Sequence, residues 1–233
     1  MGPSTITFTG ADPSCSRVEL FSLLEADPRV ELGFLYSVSR EGIGRYPPFA
    51  WIKETVRDIE SVYGGGRVAL HVCGRARSDL LQGKKLAVPI WSFRRLQLNG
   101  MFLGEQIGEL RRFIGEGDAF SCITQFDSNQ ELHDTVRRPG HQVLFDASGG
   151  RGVLREEWPK ALPDHICGYA GGLGYRNLRT ELPRIAAVAG PKYWVDMEGS
   201  LRDEDDRFSV ARARLALEAI LDVERSGSDR SWE

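Results

Sequence analysis

Short apolar segments alternate with amphipathic segments along the whole chain. Segment 30–36 is nearly continuous in apolar residues, which is typical of a strand that is buried on both faces of a parallel sheet. Seven further segments are short and apolar enough to form strands of the same sheet. The predicted strands are residues 6–9, 30–36, 68–73, 96–99, 120–125, 143–146, 166–169 and 193–196.

Each predicted strand is followed by a segment with helical spacing of its apolar residues. In segment 17–25, Val18, Phe21 and Leu24 fall on one helical face. The Pro47-Pro48 pair opens the second helix, because proline is tolerated in a first helical turn. Residues 82–93 are irregular, which makes the fourth unit the hardest to place. The predicted helices are residues 17–25, 47–62, 78–81, 102–114, 130–137, 156–161, 177–188 and 208–223.

Eight strand–helix alternations favour a single (β/α)8 barrel, an α/β fold with a parallel sheet, over an open sheet. A barrel of this kind needs roughly 200–250 residues, and the chain has 233. No linker rich in Pro, Gly or Ser and no second core is visible, so we predict one domain over residues 1–233. The polar tail from about residue 224 is expected to fray.

Composition indicates a soluble globular protein, with 41% hydrophobic and 27% charged residues. The net charge of −3 gives no electrostatic reason to expect a nucleic acid partner. No apolar run is long enough to span a membrane, and no signal peptide is visible at the start. The four cysteines form no CxxC pair and no metal site with histidine. We therefore predict a cytoplasmic protein without a cofactor or metal, and either a monomer or a homodimer.

The most informative segment is the glycine pair Gly171-Gly172, which directly follows the seventh strand. Glycines there let backbone N–H groups approach a ligand, and the next helix points its positive end at the same place. A second loop with glycine and serine, Gly199-Ser200, follows the eighth strand. Phosphate sites of (β/α)8 barrels are built from these two loops. The alternative is that the glycine pair only ends a strand.

Several short motifs occur in a defined order along the chain. They are Arg45-Tyr46, Gln97-Leu98-Asn99-Gly100, Leu144-Phe145-Asp146 with Gly149-Gly150-Arg151-Gly152 and Trp158, Ala170-Gly171-Gly172-Leu173 with Asn177, and Val195-Asp196. In order and spacing this series resembles phosphoribosylanthranilate isomerase, whose motifs read roughly KRY, QLHG, LLD…GGTG…FDW, AGGL-x-x-x-N and VDVSSG. The resemblance covers residues 5 to about 221.

The resemblance implies an Amadori rearrangement, in which an N-linked aldose phosphate becomes the enol form of a 1-amino-ketose phosphate. Such chemistry needs an acid for the ring oxygen and a base for the proton on the sugar C2. By position in the motifs, Asp146 matches the general acid and Arg45 a substrate-binding arginine. The remaining predicted site residues, by role, are Gln97, Asn99 and Asp196 for the substrate and Gly150, Gly171, Gly172, Gly199 and Ser200 for the phosphate.

The base is where this sequence departs from the family. The cysteine of the family motif KICG falls on Thr9, and a threonine hydroxyl is far too weak a base at neutral pH. We therefore place Thr9 at the catalytic position and consider Asp12, His71 and Glu198 as substitute bases. Asn99 also stands at the family histidine of strand four. Glu198 replaces a serine of the strand-eight motif and puts a carboxylate near the predicted phosphate.

Three explanations of this departure stay open. A substitute base is present, or the barrel catalyses another proton transfer on a related phosphosugar, or it has lost catalysis and only binds a phosphosugar. Individual residues also have structural alternatives. Asp146 could cap a turn and Arg45 could form a surface salt bridge. His71 could be a hydrogen-bonded core histidine, and Glu198 could bind Arg202 or another arginine of the barrel rim.

Overall fold

The computed structural model describes residues 2–115, 120–129, 140–146 and 152–229. Eight parallel strands form a closed barrel in sequential order, and the last strand pairs with the first. This confirms the predicted fold and every predicted strand, with ends that differ by at most two residues. The strands are β1 (Thr5–Thr9), β2 (Val30–Tyr36), β3 (Val68–Val72), β4 (Arg95–Leu98), β5 (Ser121–Gln125), β6 (His141–Phe145), β7 (Ile166–Tyr169) and β8 (Tyr193–Met197).

The helices surround the barrel and cover the outer faces of the strands. Ser16 begins the first helix with a capping box, in which its hydroxyl accepts from the Glu19 backbone while the Glu19 carboxylate accepts in return. None of the described helices is both long and apolar enough to cross a membrane. The helices described are α1 (Arg17–Ala26), α2 (Phe49–Tyr63), α3 (Arg75–Leu81), α4 (Glu105–Gly115), α5 (Leu178–Val188) and α6 (Val210–Asp229).

The helix predicted over residues 156–161 was wrong. These residues follow an irregular path in which the indole of Trp158 is buried and donates to Glu181 Oε2 over 2.8 Å. Pro159 supplies no backbone N–H for a helical hydrogen bond, so the apolar spacing there reflects packing onto α5. The helix predicted at 130–137 lies outside the described residues.

Two helices also differ in detail from the pattern. Leu24 and Phe21 of α1 pack inward as predicted, together with the buried Leu20 and Leu23. Val18 is 78% exposed, because the face that α1 packs against β2 and α6 is shifted away from it. The helix α6 continues to Asp229 through residues that we expected to fray. Near its end, Glu224 accepts two hydrogen bonds from Arg29.

A buried ion pair fills the barrel at the N-terminal side of the strands. Arg95 of β4 and Glu31 of β2 lie 2.6 Å apart, and Arg95 also donates to the hydroxyl of Thr7. The guanidinium stacks 4.1 Å from the ring centre of Trp194. Gly168 leaves the space for this ring, since a Cβ there would lie 2.1 Å from it. The barrel is thus closed below, and open volume is left at the carboxyl ends of the strands.

Candidate active site

A cavity of about 820 Å³ lies at the carboxyl ends of the strands. This is the face at which barrel enzymes carry their active sites. The cavity brings together residues that are far apart in the sequence, from the loop after β2 to the loop after β8. Nine of the predicted site residues line it, namely Arg45, Gln97, Asn99, Asp146, Gly171, Gly172, Asp196, Gly199 and Ser200.

The glycine pair after β7 has the backbone conformation that favours glycine. Gly171 has φ +99° and Gly172 has φ +69°, and a Cβ on Gly172 would lie 2.6 Å from the backbone nitrogen of Leu154. Asn177, just before α5, accepts from the Gly174 N–H and donates to the Gly172 carbonyl. The loop is therefore held rigidly next to the positive end of a helix.

The loop after β8 lies against this glycine loop. It forms a short 3₁₀ turn at Gly199–Leu201, and the Ser200 hydroxyl donates to the Leu173 carbonyl over 2.6 Å. The two loops of the predicted phosphate site are thus joined by a direct hydrogen bond. Gly150 lies outside the described residues. Gly152 lines the cavity, with its carbonyl oxygen 2.9 Å from where a Gly172 Cβ would be.

Two aspartates reach the cavity from strands on either side of β7. Asp196 of β8 accepts a hydrogen bond of 2.7 Å from the Thr9 hydroxyl, and Asp146 follows β6 and accepts from Gln125. Burial raises the pKa of Asp196 to about 7, and the negative charge of Asp146 adds to this effect. Asp196 therefore exchanges its proton near neutral pH, in contact with the cavity.

His71 completes a line of polar groups behind Asp196. Its Nε2 lies 3.4 Å from the Thr9 oxygen, which in turn donates to Asp196. Complete burial lowers the pKa of His71 to about 4, so the ring is neutral at pH 7. His71 is therefore a hydrogen-bonded core histidine, which was one of the two interpretations of the sequence.

The amides of strand β4 leave one acceptor for a ligand. Gln97 Nε2 donates to Asn99 Oδ1 over 2.8 Å, and Asn99 Nδ2 donates to the Cys73 sulfur over 3.2 Å. Gln97 Oε1 is buried and accepts no hydrogen bond within the described part of the chain. An unpaired buried oxygen on a cavity wall is suited to accept a ligand hydroxyl or a water.

Arg45 is engaged by two carboxylates at the cavity mouth. Its Nη1 donates to Glu198 over 2.7 Å and its Nη2 to Asp206 over 2.8 Å. Burial raises the pKa of Glu198, while the Arg45 guanidinium opposes the shift. Arg45 thus forms a salt bridge at the surface of the cavity mouth, and Glu198 binds an arginine of the barrel rim, as the structural alternatives for these two residues predicted. The two residues are each other's partners.

Asp12 lies away from the cavity. It pairs with the buried Arg202 over 2.7 Å and accepts from the Phe208 backbone N–H, which ties the loop after β1 to the loop after β8. Asp12 therefore has no contact with the cavity and cannot act as the base there. The sequence does not show this, because the partners of Asp12 are about 190 residues away along the chain.

The comparisons with known proteins concern the fold. No family model matches the sequence, and the curated proteins gave no significant match. Among solved structures, TrpF from Jonesia denitrificans shares 14% identity and a TM-score of 0.64, over 94% of this chain and 98% of that one. Phosphoribosyl anthranilate isomerase from Thermus thermophilus shares 18% identity and a TM-score of 0.61, over 94% and 99%. The barrel is similar to that of phosphoribosylanthranilate isomerase.

The predicted resemblance to phosphoribosylanthranilate isomerase is therefore confirmed at the level of the fold. A further isomerase structure, with 12% identity and a TM-score of 0.58 over 93% of this chain and 98% of that one, was solved with reduced 1-(o-carboxyphenylamino)-1-deoxyribulose 5-phosphate. That ligand joins a phosphorylated sugar to an aromatic ring with a carboxylate. Identities this low leave the activity of the present chain to be argued from its own cavity.

Several lining residues were missing from the predicted site. Tyr46 and Cys73 line the cavity beside Arg45 and Asn99. Tyr46 directly follows Arg45 in the Arg45-Tyr46 motif, so the motif itself could have indicated that Tyr46 lies at the site. Asp206 lies in the polar segment 202–207, where nothing in the sequence separates it from Asp203 or Asp205. Only the tertiary contact with Arg45 distinguishes it.

Proposed function

We propose that this chain isomerises an N-linked aldose phosphate to a 1-amino-ketose phosphate. The observation that carries the proposal is the placement of Asp146 and Asp196 in one cavity with the paired loops at Gly171-Gly172 and Gly199-Ser200. An acid, a base and an anion-binding surface are the three components that this chemistry requires. The similarity in fold to phosphoribosylanthranilate isomerase supports the same reaction class.

The phosphate would lie against the two joined loops. Gly171 and Gly172 carry no side chain that would keep a ligand away from the backbone, and α5 begins seven residues after Gly171. Backbone N–H groups and the helix dipole then stabilise the phosphate charge. Asn177 keeps the loop in this shape through its two hydrogen bonds.

The proton transfers would use the two aspartates in opposite roles. In the reactive form of the pair, Asp146 holds the proton and Asp196 is ionised. Asp146 donates that proton to the ring oxygen, the C1–O bond breaks with its electron pair going to that oxygen, and the nitrogen lone pair forms C=N. Asp196 then takes the proton from C2. The electron pair of that bond forms C1=C2, and the C=N π electrons return to nitrogen. The product is the enol form of the amino-ketose phosphate, and all atoms and electrons balance.

Asp196 fits the base role better than Thr9 does. The Thr9 hydroxyl donates its proton to Asp196 Oδ1, so it positions the carboxylate and stabilises its charged form. A base must be ionised at the working pH and still bind a proton well, which places its best pKa near neutrality. Asp196 thus fills the function that the family cysteine leaves open at Thr9, and Asp12 is not needed.

We expect kcat/KM, which reports the pKa values of the free enzyme, to rise with pH and to reach half of its maximum near pH 7. The reason is that Asp196 acts as a base only when ionised, and its pKa is about 7. A cysteine base with an ordinary pKa of about 8.5 would place this rise at a higher pH. Steady-state rates between pH 5 and 9 in constant ionic strength test this. A rate independent of pH between about 6 and 8 would contradict the assignment.

The proposed function is tested with N-phenyl-ribosylamine 5-phosphate and its o-carboxyphenyl counterpart, phosphoribosylanthranilate. We expect either compound to be converted to the amino-ketose phosphate, and chromatography of the products measures the conversion. Calorimetry with ribose 5-phosphate runs in parallel. Binding of the sugar phosphate without turnover of either compound would support a phosphosugar-binding barrel that has lost catalysis. Absence of binding and of turnover would remove both interpretations.

A further inference from the structure

The guanidinium of Arg45 at the mouth of the cavity is already paired with two carboxylates. Glu198 and Asp206 both pair with Arg45, and we call this pair of carboxylates the mouth clamp. Asp206 also lies 3.4 Å from Arg202, whose other partner is Asp12 at 2.7 Å. The linked cluster therefore contains two guanidinium groups and three carboxylates. Its formal charge is −1, although Arg45 was expected to hold an anion.

The clamp is part of a folded loop. Arg202 is buried and donates to the Gly10 carbonyl, to Asp12 and to the Asp206 carbonyl, so it fixes the segment that carries Asp206. A short antiparallel bridge between Arg202 and Phe208 closes the same segment. Asp206 itself has φ +55°, a conformation in which aspartate is tolerated. The Asp206 carboxylate is thus held at the mouth by contacts independent of Arg45.

The remaining charges near this end do not reverse the balance. Arg40 also lines the cavity, where its guanidinium lies 5.8 Å from the ring centre of Tyr46. The floor carries Asp146 and Asp196, and His71 behind it is neutral at pH 7. Among the described lining residues, two arginines thus face four carboxylates. A ligand carboxylate near Arg45 would compete with Glu198 and Asp206 for the guanidinium, and a displaced Glu198 would be left largely buried without its partner.

We infer that the part of the substrate at the Arg45 end of the cavity carries no negative charge, so that the amine component is neutral or cationic. The inference rests on the proposed function, because it concerns the same cavity. Leu35, Ile43 and Tyr46 line this end and offer apolar contacts to an aromatic or aliphatic amine. The chain thereby differs from the related isomerase whose bound ligand carries a carboxyphenyl group.

The test compares three reduced 1-arylamino-1-deoxyribulose 5-phosphates that differ only in the ring. The rings are phenyl, o-carboxyphenyl and o-(aminomethyl)phenyl, and calorimetry measures Kd at pH 7.5. We expect the carboxyphenyl compound to bind about tenfold more weakly than the other two, because it places like charges together. A carboxyphenyl compound that binds within about threefold of the phenyl compound, or more tightly, overturns the inference and leaves the proposed function standing. If none of the three binds, the proposed function falls with it.

Variants of the clamp test the cause of this preference. In Glu198→Gln/Asp206→Asn the guanidinium of Arg45 is released, and we expect the Kd of the carboxyphenyl compound to fall about tenfold. The matched control is Asp205→Asn, which removes one negative charge next to Asp206 from an exposed side chain that pairs with Arg207. The control is expected to keep the wild-type ranking. An equal gain in the control would assign the effect to net charge and would overturn the inference. If the double variant does not fold, Asp206→Asn alone removes one of the two carboxylate partners of Arg45 and, like the control, one negative charge. A gain of less than tenfold is then expected, and a gain no larger than that of Asp205→Asn would overturn the inference.

Discussion

Replacing Asp196 with asparagine is expected to lower kcat by a factor of about 10²–10⁴, which is the usual contribution of a positioned general base. Asparagine keeps the shape of the side chain and can still accept from the Thr9 hydroxyl, but it cannot take a proton from C2. The Kd of a reduced amino-ketose phosphate should stay within about threefold of the wild type. Steady-state kinetics and calorimetry on the same preparation separate the two quantities.

Four further variants show whether a loss of kcat in Asp196→Asn is specific to the proposed base. Asp146→Asn should lower kcat to a similar degree because it removes the acid, and Asp205→Asn should leave kcat unchanged because its exposed side chain lies outside the cavity lining. Thr9→Val removes the hydrogen bond that favours the ionised form of Asp196, so the pH at half-maximal kcat/KM should rise, and Thr9→Ser should restore it. A kcat for Asp196→Asn within tenfold of wild type would refute Asp196 as the base.

Replacing Arg95 with methionine is expected to lower the free energy of unfolding by about 3–5 kcal/mol. The substitution leaves Glu31 as a charge that is 2% exposed, without its guanidinium partner, and removes the stacking on Trp194. It also takes away a donor to the Thr7 hydroxyl. Equilibrium urea unfolding followed by circular dichroism measures the change.

The controls for this variant are the residue just before the strand and the other member of the ion pair. Arg94→Met changes the neighbouring arginine, which is exposed, and should cost less than about 0.5 kcal/mol. The double variant Glu31→Leu/Arg95→Met removes both charges and should recover most of the loss, because a buried pair replaced by apolar groups of similar size is often neutral. A loss below about 1 kcal/mol in the single variant would show that the pair is dispensable to the barrel.

The strands were predictable because burial on both faces of a parallel sheet gives each of them a short apolar run. Segments 30–36 and 166–169 were predicted with the observed ends. The helix predicted at 156–161 failed because an apolar spacing created by the packing of Trp158 imitates helical periodicity. The predicted face of α1 was right at Phe21 and Leu24 and wrong at Val18, since apolar residues occur on more than one side of that helix. Periodicity alone cannot choose which of them faces the barrel.

The predicted site shows the same division. Residues at strand ends and in glycine loops, such as Asp146 and Gly171, could be placed because parallel strands bring their carboxyl ends to one face. The contacts of Asp12 and Arg45 could not, because both depend on partners about 150 to 200 residues away along the chain. The roles of the predicted site residues stay predictions, as does the single-domain organisation of the full chain.

The sequence by itself determined the eightfold alternation, the face that carries the site and the loss of the cysteine at Thr9, because each is written in local residue order. Only the tertiary structure revealed the carboxylate that we propose as the base in place of that cysteine. Burial of Asp196 within reach of Thr9 brings its pKa close to neutrality, and the loop after β8 sets two carboxylates against Arg45. Desolvation and charge pairing depend on what surrounds a side chain in space, and its neighbours in sequence do not reveal them.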